Sequence, residues 1–407
     1  MGKKERSILT VTCYGHFMSH LNMLVFPAVL LPLSAKLNLP MTETLGLSFM
    51  MYLLFGLTAL PWGLLADRFG PRPLLILYHL GAGVSALSAA LYADNPFLFS
   101  ISLAGIGLFS GIYHPAGLGW IAGSIEKTSR AMAYNGMFGN LGLATAPLLA
   151  GIINYLYGVN TLYFLVAVMN LQGLVFLYLC KNGGAKSASN QKVSTGSFTT
   201  WTPFFILLIA MMLGGIVYRG TSVTLPSYLE LKNSGLYNIL ADLTGGIGTP
   251  NVTATAFTSF IYLLGMAGQF TGGRAGEKYD LRFSYLFFHA VTIPAAIGMA
   301  LTTDMTLVFF AAIHGFFLLG MQPIENTLVA RLTPPALISS AYGMKFILTF
   351  GVGALSVKII KIVEANLGME SVFLVLSFVS FLLCLTILFL IVKSSGRGLE
   401  ASGSNKK

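Results

Sequence analysis

Charged residues are scarce in this chain: only 9% of its 407 residues are Asp, Glu, Lys or Arg, whereas soluble domains average about 25%. Apolar residues make up 55% of the chain, which is enough for many membrane-spanning helices of about 20 residues each. This composition excludes a soluble enzyme, a disordered protein and a nucleic-acid-binding protein. It also argues against an outer-membrane barrel, whose strands are short and alternate apolar with polar residues.

Cysteine is equally scarce, with Cys13, Cys180 and Cys384 as the three examples. An odd count without paired spacing predicts neither a disulfide framework nor a zinc site. The basic start MGKKERS is followed by an apolar stretch of about 25 residues, which is too long for a signal-peptide core and lacks a small-residue cleavage site. We therefore predict that this stretch is the first membrane span and is not cleaved.

Apolar stretches of spanning length recur along the chain, separated by polar breaks. We predict twelve spans, at 8–33, 43–65, 73–92, 97–120, 131–153, 161–179, 203–229, 254–272, 284–301, 306–331, 339–363 and 371–392. The long break is rich in Ser, Gly, Lys and Thr, as flexible linkers are. The predicted organisation is a six-helix bundle at 1–179, a cytoplasmic linker at 180–200, a second six-helix bundle at 201–393 and a cytoplasmic tail at 394–407.

The positive charge of the chain is unevenly distributed between the two predicted membrane sides. Lys and Arg number 24 against 14 acidic residues, a net charge of +10. Most of these cations fall in the breaks that share a side with the two termini. Because cytoplasmic loops carry the excess of Lys and Arg, both termini are expected in the cytoplasm of a multi-pass plasma-membrane (bacterial inner-membrane) protein.

An internal repeat relates the two halves. Pro115 in YHPAGLGWIAG matches Pro323 in MQPIENTLVAR, and Tyr134 matches Tyr342, both at an offset of 208 residues. We therefore predict an all-α integral membrane fold of twelve transmembrane helices in two pseudo-symmetric six-helix halves. Transporters built from such repeats bind their substrate near the midplane, between the halves.

The loop after the second span, GLLADRFGPR, carries a motif. Gly63, Asp67, Arg68, Gly70 and Arg72 fit the pattern G-x-x-x-D-R-x-G-x-[RK]. With twelve spans in a six-plus-six repeat, this motif resembles the major facilitator superfamily over almost the whole chain. The resemblance implies a gating role, in which the cluster helps to hold the outward-facing state. The alternative is a purely topological anchor of positive charge.

The same loop has a physical interpretation of its own. Its glycines permit tight turns and close helix approach, and Asp67 can meet a helix N-terminus. Arg68 or Arg72 can pair with carboxylates across the contact between the halves. The second copy of the loop, GRAGEKYDLR, supplies Glu277 and Arg282 as further gating candidates, although it departs from the pattern.

Three charged residues lie well inside predicted spans, away from the span ends, and intramembrane charges are functional candidates because they are costly. Glu325 and Lys345 lie at similar depth and form either a structural ion pair or a pair that couples transport to protons. Arg219 lies in the middle of the seventh span, and its guanidinium offers a fork for a carboxylate or phosphate. We predict an anion ligand for Arg219. The alternative is snorkelling, or bonding to carbonyls at a helix break near Gly214.

Histidines are candidates for polar contacts in the cavity. His16 and His20 are four residues apart and share a helix face, and His114 precedes Pro115. We predict that His20 and His114 bind substrate, and that His16, like His79, His289 and His314, bonds between helices. No acidic or cysteine ligand accompanies these histidines, so we predict no metal.

Amide side chains complete the candidate site. Asn22, Gln322 and Asn326 either bind substrate or join helices by hydrogen bonds. The segments SHLN, YHP and QP that contain or adjoin candidate site residues are similar to the fosmidomycin-resistance type of exporter within the superfamily. Met23 and Ala116 stand where that group tends to have acidic residues, which places its proton-antiport mechanism in doubt here.

These features predict a secondary active transporter that moves a small anionic or zwitterionic organic solute by alternating access, coupled to protons. One alternative is a proton-driven exporter of multiple drugs or amphipathic compounds. Another is a transport-inactive membrane sensor or assembly component of the same fold. We expect no enzyme activity, since no nucleophile–base constellation or cofactor motif is present. The expected partners are a small-molecule substrate and the lipid bilayer, without nucleic acid, and the expected state is a monomer without cofactors.

Overall fold

The computed structural model describes residues 1–180, 201–246, 248–333 and 338–394, and every regular element in these ranges is helical. Residues 181–200 of the predicted linker and 395–407 of the predicted tail lie outside the described residues. The described α-helices, in chain order, are α1 Lys3–Ala28, α2 Leu30–Leu37, α3 Met41–Gly46, α4 Phe49–Leu57, α5 Ala59–Phe69, α6 Pro71–Leu91, α7 Pro96–Ser110, α8 Tyr113–Ser124, α9 Thr128–Leu179, α10 Thr202–Lys232, α11 Ser234–Leu243, α12 Pro250–Lys278, α13 Leu281–Leu301, α14 Asp304–Gly320, α15 Gln322–Leu332, α16 Ile338–Phe346, α17 Leu355–Leu367 and α18 Glu370–Lys393.

Among these residues, eight helices are long and apolar enough to cross a membrane. Two bent pairs raise the number to ten: α1 with α2, at 54°, and α3–α4 with α5, at 45°. The less apolar helix α12 has spanning length too. The remaining span comes from α9, which is really two helices.

Helix α9 reverses direction at Gly158, where φ is 79°. Asn135 and Asn170 would be about 52 Å apart in a straight helix. Both nevertheless bond to α1, Asn135 to His16 and Asn170 to Asn22, only six residues apart. Two spans therefore occupy α9, and the predicted twelve-helix fold is confirmed.

The sequence repeat is visible in the packing of the two halves. A Cβ atom placed on Gly63 would lie 3.4 Å from Pro115, and one on Gly273 would lie 3.9 Å from Pro323. In each half, therefore, the helix that ends in the motif loop packs through a glycine against a proline of the fourth helix of that half.

The two halves meet in a contact that we call the central seam. The eleventh span is irregular there, with a π-helical turn Ile347–Gly351 and a 3-10 turn Val352–Ala354 after α16. A Cβ on Gly56 of α4 would lie 2.0 Å from the backbone nitrogen of Gly351. Farther from the chain termini, α17 packs on α3, and Asn251 donates to the carbonyl of Ala28. The halves are thus closed against each other toward the end opposite the termini.

The approach at Gly56 leads to a prediction about the closed state. Substituting Gly56→Ala places a methyl group against backbone, and overpacking of this kind costs about 1–3 kcal/mol. We expect the equilibrium to shift away from the closed seam by about 5- to 150-fold. Spin labels on α3 and α17 should then report a longer distance. Gly119→Ala, whose methyl group would meet nothing within 4 Å, is the control and should leave the distance unchanged. An unchanged distance in Gly56→Ala would contradict this account of the seam.

Candidate functional site

Arg219 of α10 lies at the central seam with only 2% of its surface exposed. Its guanidinium carbon is 4.1 Å from the ring centre of Tyr52, which comes from the other half of the molecule. Tyr218 and Phe350 lie at 5.9 and 6.0 Å. We call Tyr52, Tyr218 and Phe350 the aromatic cage. It surrounds the cation with π faces, which attract positive charge but do not neutralise it.

The charge of Arg219 has no acidic counterpart within the described residues, where no carboxylate lies within ion-pair distance of it. Its Nε atom is buried without a hydrogen-bond partner. A buried charge is normally paired, because an unpaired one is costly. The described part of the chain therefore leaves the charge of Arg219 without an anionic partner.

Three histidine rings lie on the other side of the seam. His20 and His16 are joined by a hydrogen bond of 3.0 Å between their Nε2 atoms, and His16 Nδ1 donates to the carbonyl of Asn135 at 2.9 Å. The ring of His114 is centred 5.2 Å from His16 and 5.4 Å from His20. The ring of Phe350 stacks on His114 at 6.0 Å and also lies 6.0 Å from the guanidinium carbon of Arg219. The structure thus brings together His20, His114 and Arg219, three of the residues predicted to bind substrate.

Glu325 and Lys345 form the predicted ion pair, with 2.8 Å between their charged atoms. Both are buried in the C-terminal half. The second carboxylate oxygen of Glu325 accepts a hydrogen bond of 2.7 Å from Tyr285, and Lys345 also donates to Asn326. Both oxygens of this carboxylate therefore have a partner, one the Lys345 ammonium and the other the Tyr285 hydroxyl.

The ion pair adjoins the histidines through one aromatic residue. Phe346 follows Lys345 in the chain, and its ring stacks on His114 at 5.0 Å across the seam. Movement of α16 would therefore displace the ring that stacks on His114, and this contact links the ion pair to the other half.

The amide side chains are largely occupied by helix–helix bonds. Asn22 donates to Ser110 and exchanges hydrogen bonds with Asn170, all at about 3 Å. Gln322 accepts from Gln269, whose own oxygen accepts from Asn140 of the first half. The structure places Asn22 in the packing of its own half and Gln322 in a chain of amides across the seam.

The motif loop is built largely from contacts within its own half. Gly70 ends α5 at φ 88°, a conformation that favours glycine. Asp67 borders a surface cleft against α8, and the guanidinium of Arg68 lies 5.3 Å from the ring centre of Phe69. Arg72 donates to the carbonyl of Leu177 at 3.1 Å. In this arrangement the described residues contain no ion pair from Arg68 or Arg72 across the seam, and Arg72 bonds inside its half; such pairing stays a prediction.

The second copy of the loop repeats this arrangement. Arg282 binds Asp280 through both carboxylate oxygens and donates to the carbonyl of Ser394 at 2.8 Å. Arg72 and Arg282 therefore each join the third helix of a half to the end of its sixth. Glu277 is exposed at the end of α12. The gating role of both loops stays a prediction.

A small cavity continues from the site into the C-terminal half. Tyr218 of the aromatic cage borders it, together with Tyr262 and with His314, which bonds Thr221 at 3.0 Å. The hydroxyl of Tyr262 is buried without a partner. Sequence reasoning missed Tyr262, Tyr52 and Phe350, because aromatic residues are common in membrane helices and nothing in the sequence marks these ones.

Comparison with known proteins agrees with this architecture. The profile of the Major Facilitator Superfamily matches residues 12–357. The multi-drug resistance efflux pump PmrA of Streptococcus pneumoniae serotype 4 is 23% identical over 317 residues, covering 77% of each chain. The uncharacterized MFS-type transporter YfnC of Bacillus subtilis is 23% identical over 358 residues, covering 86% of this chain and 84% of that protein.

Solved structures share the fold at low sequence identity. A POT family transporter in complex with 5-aminolevulinic acid superposes with a TM-score of 0.77 at 16% identity, covering 95% of this chain and 96% of the other. A bacterial homolog of the lysosomal transporter Spinster superposes with a TM-score of 0.66. Since the profile match spans most of the twelve-helix chain, this protein belongs to the major facilitator superfamily of membrane transporters.

Proposed function

We propose that this transporter moves a small anionic or zwitterionic organic solute by alternating access. The observation that carries the proposal is Arg219, a buried guanidinium at the central seam with no acidic partner among the described residues. A carboxylate or phosphonate bound beside Arg219 would neutralise this charge and accept a hydrogen bond from its unpartnered Nε. A guanidinium suits this task because its fork matches both groups.

The cage around Arg219 suggests how cargo is enclosed. Tyr52 comes from the first half, whereas Arg219 and Phe350 come from the second. Rocking of the halves would separate Tyr52 from the guanidinium and open the site to one side. An anion bound to Arg219 would relieve the cost of its charge in the open and closed arrangements alike, so that the loaded carrier can cross between them.

Glu325 and Lys345 are proposed to couple transport to protons. Uptake of a proton by Glu325 would break its ion pair and free Lys345, whose neighbour Phe346 stacks on His114. The pair would then act on the half that carries Tyr52 and the histidines.

The subgroup, the oligomeric state, the membrane and the bundle boundaries belong to the same proposal. SHLN, YHP and QP support the fosmidomycin-resistance type as the related subgroup. We further propose that the protein is a monomer in the plasma membrane, which in a bacterium is the inner membrane. The distribution of basic residues supports a cytoplasmic location of both termini. The bundle boundaries 1–179 and 201–393 are proposed in the same way.

A second candidate is a proton-driven exporter of multiple drugs. It is favoured by the relative in Streptococcus pneumoniae, which is named a multi-drug resistance efflux pump. The aromatic cage could also hold an amphipathic compound. The two candidates differ in the charge of their cargo, because an exporter of cationic drugs would place like charge beside Arg219.

A matched ligand screen by thermal shift distinguishes the candidates. Purified protein is tested with small carboxylates, phosphonates and amino acids, with the neutral amide or ester of each, and with lipophilic cations. We expect only compounds that carry an anionic group to raise the unfolding temperature, since a ligand stabilises the state that binds it. Stabilisation by lipophilic cations, with none by anions, would overturn the anion proposal in favour of the drug exporter.

A further inference from the structure

The three histidines at the seam form a compact group of nitrogen atoms. The available ring nitrogens of His16, His20 and His114 all lie within 4.8 Å of one another. Two of these residues are one turn apart on α1, and the third is supplied by α8. We predicted no metal here because no acidic or cysteine ligand accompanies the three histidines, but the sequence does not show how closely their ring nitrogens converge.

The tautomer of His16 suits a ligand. Because a carbonyl oxygen can only accept, the bond to Asn135 requires a proton on His16 Nδ1. In the neutral ring, Nε2 then carries a lone pair, which accepts the Nε2 proton of His20. A metal ion would take the place of that proton, and His20 would carry its proton on Nδ1 instead. A backbone carbonyl bound to the far ring nitrogen is the usual support of a metal-ligating histidine.

His114 provides an independent observation. It is 7% exposed, and neither of its ring nitrogens has a hydrogen-bond partner. Phe346 and Phe350 stack on one side of the ring and cover that side. Burying an imidazole nitrogen whose lone pair has no partner costs free energy, and a hydrogen-bond donor or a metal ion would remove that cost.

The geometry is close to that of a tetrahedral ion. Metal–nitrogen bonds of about 2.0–2.1 Å place the ligand nitrogens about 3.3 Å apart. His16 and His20 are already at 3.0 Å, so His114 has to close by about 1.5 Å at most, within reach of ring rotation. Three imidazoles without a carboxylate suit Zn²⁺, Co²⁺ or Ni²⁺ rather than Mg²⁺ or Ca²⁺, which require oxygen ligands.

We propose that His16, His20 and His114 bind a divalent transition-metal ion and leave its fourth position for an outside ligand. Two cations lie near the group. Arg219 shares the ring of Phe350 with His114, and Lys345, which precedes Phe346, is already neutralised by Glu325. Arg219 therefore opposes a bare metal ion and favours one that carries an anion. The cargo is thus a metal-ligating anion, a conclusion that rests on the proposed function, whereas the metal site itself does not.

Titration with Co²⁺ tests the site directly. Tag-free protein in detergent is titrated while the visible absorption of the ion, which reports its coordination, is recorded. We expect one Co²⁺ per chain, displaced by Zn²⁺. His114→Gln and His20→Gln should weaken binding at least about 100-fold. His79→Gln, a buried histidine outside the group, should bind Co²⁺ as the wild type does.

Arg219→Met separates this inference from the proposed function. Loss of the opposing charge should tighten binding of Co²⁺ alone by several-fold. Absence of stoichiometric Co²⁺ binding in the wild type would overturn the metal site. So would Co²⁺ affinities of His114→Gln and His20→Gln that equal the wild-type affinity. Anion binding that survives Arg219→Met would instead contradict the proposed function, and the Co²⁺ titration would still decide the metal site.

Discussion

Replacing Arg219 by Met is expected to abolish anion binding and, at the same time, to make the empty protein more stable. A charge at the centre of a membrane helix costs about 2.5–3.5 kcal/mol. The cage returns up to about 2 kcal/mol through its cation–π contacts. Removing the charge should therefore raise the free energy of unfolding by about 1 kcal/mol, because the burial cost exceeds the attraction of the cage.

Ligand binding should change in the opposite direction. Loss of one partner of a buried charge pair costs about 2–5 kcal/mol, which weakens affinity at least about 30-fold. Arg219→Lys keeps the charge but loses the fork, and should retain part of the binding. Both effects are measured in one thermal-shift series, with and without the anion found by the screen.

Arg274→Gln is the matched control for this substitution. Arg274 lies 4.1 Å from the ring centre of Phe270, the same distance as Arg219 from Tyr52, but it is exposed. We expect Arg274→Gln to leave both stability and ligand binding near their wild-type values. An Arg219→Met protein that is less stable than the wild type would show that the guanidinium has an unrecognised structural partner.

Glu325→Gln is expected to destabilise the protein by about 3–5 kcal/mol, because it leaves the Lys345 ammonium buried without its counter-ion. Tyr285 would still find an acceptor in the amide, so the loss comes mainly from the charge. The double variant Glu325→Gln with Lys345→Met removes both charges and should recover most of this stability. Thermal or denaturant unfolding in detergent measures the three variants.

A second ion pair supplies the control. Lys232 and Glu370 are bonded at the end opposite the termini, with side chains 26% and 47% exposed. Surface pairs of this kind contribute about 0–1 kcal/mol, so Glu370→Gln should cost little. Equal costs for Glu325→Gln and Glu370→Gln would show that the Glu325 pair is not buried as described.

The double variant also separates a structural pair from a coupling pair. If Glu325 carries the coupled proton, the stable double variant should transport without response to a pH gradient. If the pair is only structural, recovery of stability should restore gradient-driven transport as well. The second result would remove Glu325 from the proposed mechanism.

The architecture was predictable from the sequence because membrane spans are encoded by long apolar stretches. The spacing of Pro115 and Pro323 predicted two related halves. In the structure each proline packs on a glycine, Gly63 or Gly273, of the second helix of its own half. The pairing of Glu325 with Lys345 was also predictable, since few other charges lie at that depth. The apolar stretches are a local signal, and the ion pair was predictable because charged residues are scarce in the spans.

The composition of the seam was not predictable in the same way. Which faces of α4, α8 and α10 meet depends on the rotation of each helix, and hydropathy does not fix rotation when all sides are apolar. Tyr52 therefore could not be assigned to Arg219. The sequence likewise did not show that Arg72 would donate to the carbonyl of Leu177 in its own half.

The central claim, that Arg219 binds the anion being transported, is tested most directly by uptake into proteoliposomes. The compound used is the anion that gives the largest thermal shift, and a pH gradient is imposed. We predict saturable uptake by the wild type and by Arg274→Gln, and none above empty vesicles for Arg219→Met. Undiminished uptake by Arg219→Met would contradict the account. So would binding without any uptake by the wild type, which would identify a transport-inactive sensor.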